Sequence, residues 1–269
     1  DHRAPLFPMH IRHNAHVPDR QFALAPSTPS WRRAVLIAAL GLLGVASLLA
    51  STIVPADIAA ETGLPDLTLR LLLLIQPAIL VVCAAILGDR LTRTTWLQAP
   101  FISGSKTVTV RSAVSVALIG AVVVGIVLAT YTWVTTELAP LTLVSGTSLS
   151  LITALLYGGM TEEILIRWGL MGALVWVFIK IARHPAGVRP SNRVVVAAIL
   201  VSSAAFAVLH LPALLTLGEP TGINVAAAMV ANLLAGIVFG IIFAARGLEA
   251  AIGAHAGAHL VGAAITTLM

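Results

Sequence analysis

Seven long apolar runs dominate this chain of 269 residues. A run of about 20 apolar residues spans a bilayer as an α-helix, because the helix satisfies its own backbone hydrogen bonds. Only 10% of the residues are charged, against about 25% in soluble domains. The sequence therefore predicts an all-α polytopic membrane protein surrounded by the lipid bilayer, with transmembrane helices near 34–54, 69–87, 113–134, 148–181, 194–214, 223–244 and 248–268.

The chain divides into three regions by composition. Residues 1–31 contain five prolines and four histidines without apolar periodicity, which predicts a mobile cytoplasmic tail. Residues 32–147 hold three accessory transmembrane helices, and residues 148–269 hold the last four. The net charge of +5 comes from basic residues near the ends of the apolar runs. There they orient helices and contact anionic lipid, so the charge does not indicate a nucleic-acid partner.

The loops between the runs alternate in charge. Basic residues fill the second, fourth and sixth loops, whereas the first, third and fifth carry acidic residues. Because basic loops stay on the cytoplasmic side, this pattern predicts a cytoplasmic N-terminus. We expect the membrane to be a bacterial cell membrane. The residues that set this prediction are Arg90, Arg93, Lys106, Arg111, Lys180, Arg183, Arg189, Arg193 and Arg246, against Asp57, Glu61, Asp66, Glu137 and Glu219.

The fourth run, 148–181, is too long for one straight crossing. As an α-helix it would extend about 50 Å, against about 30 Å of hydrocarbon. Two crossings there would give eight helices and invert every later loop. We favour seven, with one long crossing that is kinked or partly unwound near Gly158 and Gly159.

Two adjacent glutamates and three histidines lie within the apolar runs: Glu162, Glu163, His210, His255 and His259. An ionisable side chain inside a membrane costs several kcal/mol and usually marks a functional site. His210 alone would more often be a packing residue. His255 and His259, however, are four residues apart on one helical face, and small residues around them let helices approach closely. The pattern predicts a compact site between the last four helices.

The two glutamates are expected to differ in role. Glu163 and Arg167 are four residues apart with the acid first, the better orientation for an ion pair on a helix. Glu162 points about 100° away from Glu163, so it need not share the arginine and is free to exchange a proton as a general base. A purely structural ion pair between helices is the alternative interpretation of Glu163 and Arg167.

Three motifs follow one another in the last four helices: Glu-Glu-x-x-x-Arg at 162–167, Phe-x-x-x-His at 206–210, and His-x-x-x-polar at 255–259. Their order resembles the CPBP family of intramembrane proteases, which includes CAAX prenyl endopeptidases and bacteriocin-processing or self-immunity proteins (the Abi-type domain). The resemblance covers roughly residues 148–269. It implies a protease core in this region and a peptide bond as the bond hydrolysed.

The resemblance also implies roles for the site residues. Glu162 looks like the general base that activates water, and His210 like the partner that orients it. Glu163 and Arg167 look like the supporting pair.

His255 and the residue four positions later look like the groups that stabilise the oxyanion. The family usually has asparagine in that last position, where this chain has His259. A neutral imidazole can also donate one hydrogen bond, so the substitution keeps a donor.

Other intramembrane protease mechanisms do not fit these residues. A site-2-type zinc protease needs His-Glu-x-x-His, but Ala256 follows His255. The sequence has no Gly-x-Ser-Gly of a rhomboid-type protease and no paired aspartates within its apolar runs. Two histidines and a carboxylate can hold zinc, so a metal bound by Glu162, His210 and His255 is the alternative to the metal-free mechanism that we favour.

The sequence thus predicts an intramembrane endopeptidase that acts on a membrane-associated peptide or protein. Two other interpretations stay open. An inactive family member would serve as a scaffold or chaperone in a larger membrane-protein complex. A proton-coupled transporter would use Glu162 and the histidines as a proton relay. Replacing Glu162 separates the enzyme from the scaffold. The enzyme would lose turnover and keep its partners, whereas the scaffold would lose neither.

Overall fold

The computed structural model describes residues 31–51, 54, 56–141, 150–184 and 190–269. The predicted tail lies outside these residues except for Trp31, as does the boundary at 147–148. The described residues form no β-strand. Their α-helices are Trp31–Ser47, Ala56–Thr62, Asp66–Thr92, Val110–Trp133, Leu151–Thr153, Gly172–Ile181, Asn192–Leu209, Leu211–Leu217, Gly222–Arg246 and Leu248–Thr266.

Seven helical segments among the described residues are long and apolar enough to cross a membrane. Each overlaps one of the predicted runs, which confirms the all-α fold and identifies an integral membrane protein. The short helix Ala56–Thr62 was not predicted. We number the segments spans 1 to 7 in chain order: Trp31–Ala50, Asp66–Thr92, Val110–Leu138, Leu151–Ile181, Asn192–Leu217, Gly222–Arg246 and Leu248–Thr266.

Contacts between span ends place successive loops at opposite ends of the bundle. Arg33 at the start of span 1 pairs with Asp89 near the end of span 2. At the same end, the Nε of Arg246, the last residue of span 6, donates to Ser112 Oγ in span 3 at 2.7 Å. At the opposite end, Asn224 in span 6 donates to the Ala139 carbonyl after span 3 at 2.7 Å. The basic loops therefore share one end.

Which end faces the cytoplasm stays a prediction, and cysteine labelling tests it. Cys83 is the one cysteine of the chain, so a Cys83→Ala background carries no thiol. In intact cells a reagent that cannot cross the membrane should label Glu219→Cys at once and Ser191→Cys only after permeabilisation, because basic loops stay inside. Labelling of Ser191→Cys in intact cells would show that the orientation is the opposite of the predicted one.

Span 4 stays helical through Gly158 and Gly159, where the sequence predicts a kink or partial unwinding, but it is not a regular α-helix there. Its backbone instead forms wide π-type turns over Ala154–Glu162 and Ile164–Met171. A wider turn advances less along the axis for each residue, which shortens this overlong run. Such turns are rare and occur frequently at functional sites.

Span 5 breaks at a histidine. Its first helix ends at Leu209, and a second begins at Leu211, with His210 at the junction. Pro212 explains the break, because proline has no N–H to donate to the carbonyl four residues earlier and its ring crowds that carbonyl. The predicted run 194–214 is therefore two helices, and its one ionisable residue lies where they meet.

Candidate active site

Glu162, Glu163, His210 and His255 converge in the interior of the bundle from spans 4, 5 and 7. Straight α-helices would leave Glu162 and His255 at different depths, about 27 Å and 14 Å from the basic ends of their spans. In the structure Glu162 Oε2 lies 4.0 Å from His255 Nε2. The packing of the spans therefore brings these two side chains to the same depth.

Glu163 is the centre of a fully buried network. Its Oε2 accepts a hydrogen bond from Arg167 Nε at 3.2 Å, as the four-residue spacing indicates. Its Oε1 accepts one from His255 Nδ1 at 3.0 Å, which ties span 4 to span 7. Glu163 and Arg167 are both 0% exposed. Each charge is therefore compensated inside the protein, as burial requires.

Span 5 holds the other side of the Arg167 guanidinium. Arg167 Nη1 lies 3.5 Å from Ser202 Oγ, and the guanidinium carbon lies 5.4 Å from the ring centroid of Phe206. Cation–π contacts of this kind are favourable when desolvated. The arginine is thus fixed between a carboxylate, a hydroxyl and an aromatic face.

Glu162 takes no part in that ion pair. Its Oε2 faces two imidazole nitrogens, His210 Nε2 at 3.8 Å and His255 Nε2 at 4.0 Å. These separations exceed a direct hydrogen bond. The side chains of Glu162 and His210 are 19% and 29% exposed, whereas Glu163 is fully buried. Of the two glutamates, the one outside the ion pair is also the accessible one.

The hydrogen bonds of the two histidines fix which nitrogen faces Glu162 with a lone pair. His210 Nδ1 donates to the Phe206 carbonyl at 2.7 Å, and His255 Nδ1 donates to the Glu163 carboxylate. In the neutral imidazole only one nitrogen carries a proton. Both Nε2 atoms are then acceptors directed at Glu162.

His259 occupies a different position from the other site residues. Its ring stacks on that of His255, with centroids 5.1 Å apart, and its Nε2 is buried without a hydrogen-bond partner among the described residues. That nitrogen lies against Gly158, where an added Cβ would be 2.7 Å from it. His259 is therefore next to the site but outside the hydrogen bonds that join Glu163 to Arg167 and His255.

Within the described part of the chain, no group of three or more histidine, cysteine, aspartate or glutamate side chains has a metal-holding arrangement. Glu162, His210 and His255, the set considered for zinc, are included in that statement.

The structure adds two residues that the sequence analysis did not single out. Ser202 contacts Arg167, and Phe239 stacks on His255 with centroids 4.4 Å apart. Ser202 could have been found, because Ser202, Phe206 and His210 recur every four residues on one helical face. Phe239 carries no such signal, since it is one apolar residue among many in span 6.

Comparison with known protein families gives a match over part of the chain. Residues 144–261 match the family model described as type II CAAX prenyl endopeptidase, Rce1-like. The match includes the three motifs at 162–167, 206–210 and 255–259. No curated protein and no solved structure matches the chain.

Proposed function

Since residues 144–261 belong to the Rce1-like family of type II CAAX prenyl endopeptidases, a family of proteases, we propose that this chain is an intramembrane endopeptidase. Its substrate is a membrane-associated peptide or protein, and water activated by Glu162 hydrolyses the peptide bond. The observation that carries the proposal is the accessible carboxylate of Glu162 facing the Nε2 atoms of His210 and His255.

The separations of 3.8 and 4.0 Å suit a shared water molecule. A water beside the line joining two such groups can hydrogen bond with both. It donates one hydrogen to Glu162 and the other to the lone pair of a histidine Nε2, which leaves an oxygen lone pair directed outward. The water is then oriented for attack on a carbonyl carbon.

Proton transfer completes the reaction. Glu162 takes a proton as the water oxygen bonds to the carbonyl carbon, and returns it to the nitrogen of the departing amine as the C–N bond breaks. A carboxylate suits both steps as general base and then general acid. During both steps His255 is kept in place by its hydrogen bond to Glu163, which is itself paired with Arg167.

His259 supplies the oxyanion donor in this proposal. Its buried Nε2 has no partner among the described residues, so as an N–H it can donate to the oxygen that gains charge. His255 donates from Nε2 only as an imidazolium, because its other N–H is bonded to Glu163. Preorganised donors of this kind are usually a large part of catalysis.

Two substitutions of His259 test that role. His259→Ala should lower kcat by about 10²-fold or more, as loss of an oxyanion donor typically does. His259→Asn should keep much of the activity, because asparagine also donates a hydrogen bond. Both are measured as cleavage rates in proteoliposomes at equal amounts of folded protein. Equal rates for wild type and both variants would remove His259 from the chemistry.

The experiment that tests the function as a whole is a search for cleavage products by mass spectrometry. Membranes that carry the wild-type chain are compared with membranes that carry Glu162→Gln and with membranes that lack the chain. New peptide termini in the wild-type sample alone would support the protease. The same comparison identifies the substrate.

We propose that the protein lies in a bacterial cell membrane, with its basic loops on the cytoplasmic side.

A further inference from the structure

Span 1 is hydrogen bonded to span 4 around the wide turns that carry Glu162. Thr161 Oγ1 donates to the Gly41 carbonyl at 2.8 Å, and Thr153 Oγ1 donates to the Ser47 carbonyl at 3.1 Å. Both threonines are fully buried. Because Thr153 directly precedes the wide turns and Thr161 directly precedes Glu162, the two bonds bracket this segment. We call this contact the span 1–span 4 seam.

The backbones also approach closely at the seam. A Cβ added at Gly44 would lie 2.9 Å from the carbonyl carbon of Leu156 and closer still to its oxygen. On the opposite side, a Cβ at Gly159 would lie 2.7 Å from the Cβ of Ala256 in span 7. The segment with Glu162 is therefore held between span 1 and span 7, and rotation about its axis would cause clashes.

A long stretch of π-type backbone needs such support. These turns usually occur singly, and unfavourable backbone persists only where the surroundings over-determine it. Here the surroundings include span 1, which precedes the family-matched residues 144–261. The matched segment alone does not contain all the groups that hold Glu162.

We propose that span 1 is a positioning element of the active site. The hydrogen bond from Thr161 to Gly41 and the close contact at Gly44 set the rotation of span 4. That rotation directs the Glu162 carboxylate at His210 and His255. Thr161 and Gly44 are positioning residues, since they act through Glu162. The inference rests on the proposed function for its catalytic consequence, whereas the geometric part can be tested without it.

The catalytic consequence is tested by removing the hydroxyl of Thr161. Thr161→Val keeps the shape of the side chain and loses the hydrogen bond, so it should lower kcat by about 10- to 100-fold, as a small misplacement does, with KM unchanged. Thr161→Ser keeps the hydroxyl and should restore most of kcat. Gly44→Ala should also lower kcat. The control is Gly253→Ala, where the added methyl meets only Ala117 Cβ at an ordinary 3.6 Å.

The geometric part is tested by cross-linking, which needs no substrate. In a Cys83→Ala background, Glu162→Cys and His210→Cys are joined by a short bifunctional thiol reagent. Adding Thr161→Val should reduce the cross-linking yield severalfold. Adding Thr161→Ser or Gly253→Ala should leave the yield unchanged.

The outcomes separate this inference from the proposed function. A normal cross-linking yield in folded Thr161→Val protein overturns the positioning role, whatever the protease assay gives. Equal loss of kcat in Thr161→Val and Thr161→Ser also overturns it, because the hydroxyl would then not matter. A reduced yield together with an inactive wild type supports the positioning role and counts against the proposed protease.

Discussion

Glu162→Gln should abolish proteolysis while the variant expresses and unfolds like the wild type. The amide keeps the size of the carboxylate but cannot accept a proton from water, so the general base is lost. The fold should tolerate the change because Glu162 lies outside the buried ion pair and its side chain is 19% exposed. Cleavage rate and thermal unfolding midpoint, measured on the same purified samples, check both halves of the expectation.

Glu249→Gln is a matched control for this substitution. Glu249 is also a glutamate within a span, but it lies at the start of span 7, where its Oε1 accepts from the backbone N–H of Ile102 at 2.8 Å. Glutamine can still accept that bond, so turnover should be unchanged. The comparison separates the loss of the general base from the general effect of removing a carboxylate from a span.

Three results would contradict the assignment in different ways. Wild-type turnover in Glu162→Gln would remove the general base from the mechanism. If the wild type is inactive and His259→Asn cleaves substrate, the chain is a scaffold that lost catalysis because it has histidine instead of asparagine at position 259. Proton-dependent flux in proteoliposomes, lost in Glu162→Gln, would identify the transporter instead.

Glu163→Gln should unfold far more easily than wild type, with a loss of about 3–5 kcal/mol. The neutral amide leaves Arg167 as a buried cation without its counter-ion, and the guanidinium is 0% exposed. Its remaining contacts, Ser202 and the face of Phe206, carry no negative charge. The free energy of unfolding in detergent, from denaturant titration, measures the loss.

The double variant Glu163→Gln/Arg167→Met tests the cause of that loss. Removing both charges leaves no uncompensated ion, so the double variant should be more stable than Glu163→Gln alone. A single variant as stable as wild type would remove the ion pair from the account. A double variant no better than the single one would show that the cost comes from lost packing or hydrogen bonds.

Much of this arrangement could be predicted from local sequence rules. Hydropathy predicts the spans because backbone groups in lipid must be satisfied within each helix. The spacing of Glu163 and Arg167 predicts their ion pair because side chains four apart share a helical face. Neither rule depends on how one helix is rotated against another.

The rest could not be predicted because it depends on that rotation. The partner of His255 is set by packing across spans, since Glu163 lies in span 4. His210 bonds within its own span, to the Phe206 carbonyl, but only packing across spans brings its other nitrogen to Glu162. Span 4 forms wide turns on both sides of Glu162, and no propensity rule indicates such turns over so long a stretch. His259 lies against Gly158, within one of these turns, and this contact also depends on how spans 4 and 7 pack.

The turn between spans 6 and 7 bears on how the chain folds. Gly247, with φ +93°, joins the two spans, and the next residue, Leu248, donates its N–H to the Gln98 carbonyl at 3.0 Å. Span 3 also packs along span 7. These contacts tie the span that carries His255 to the accessory half of the chain. The ends of the family match are therefore not the ends of a separate folding unit, and unfolding should proceed as one cooperative transition that includes both halves.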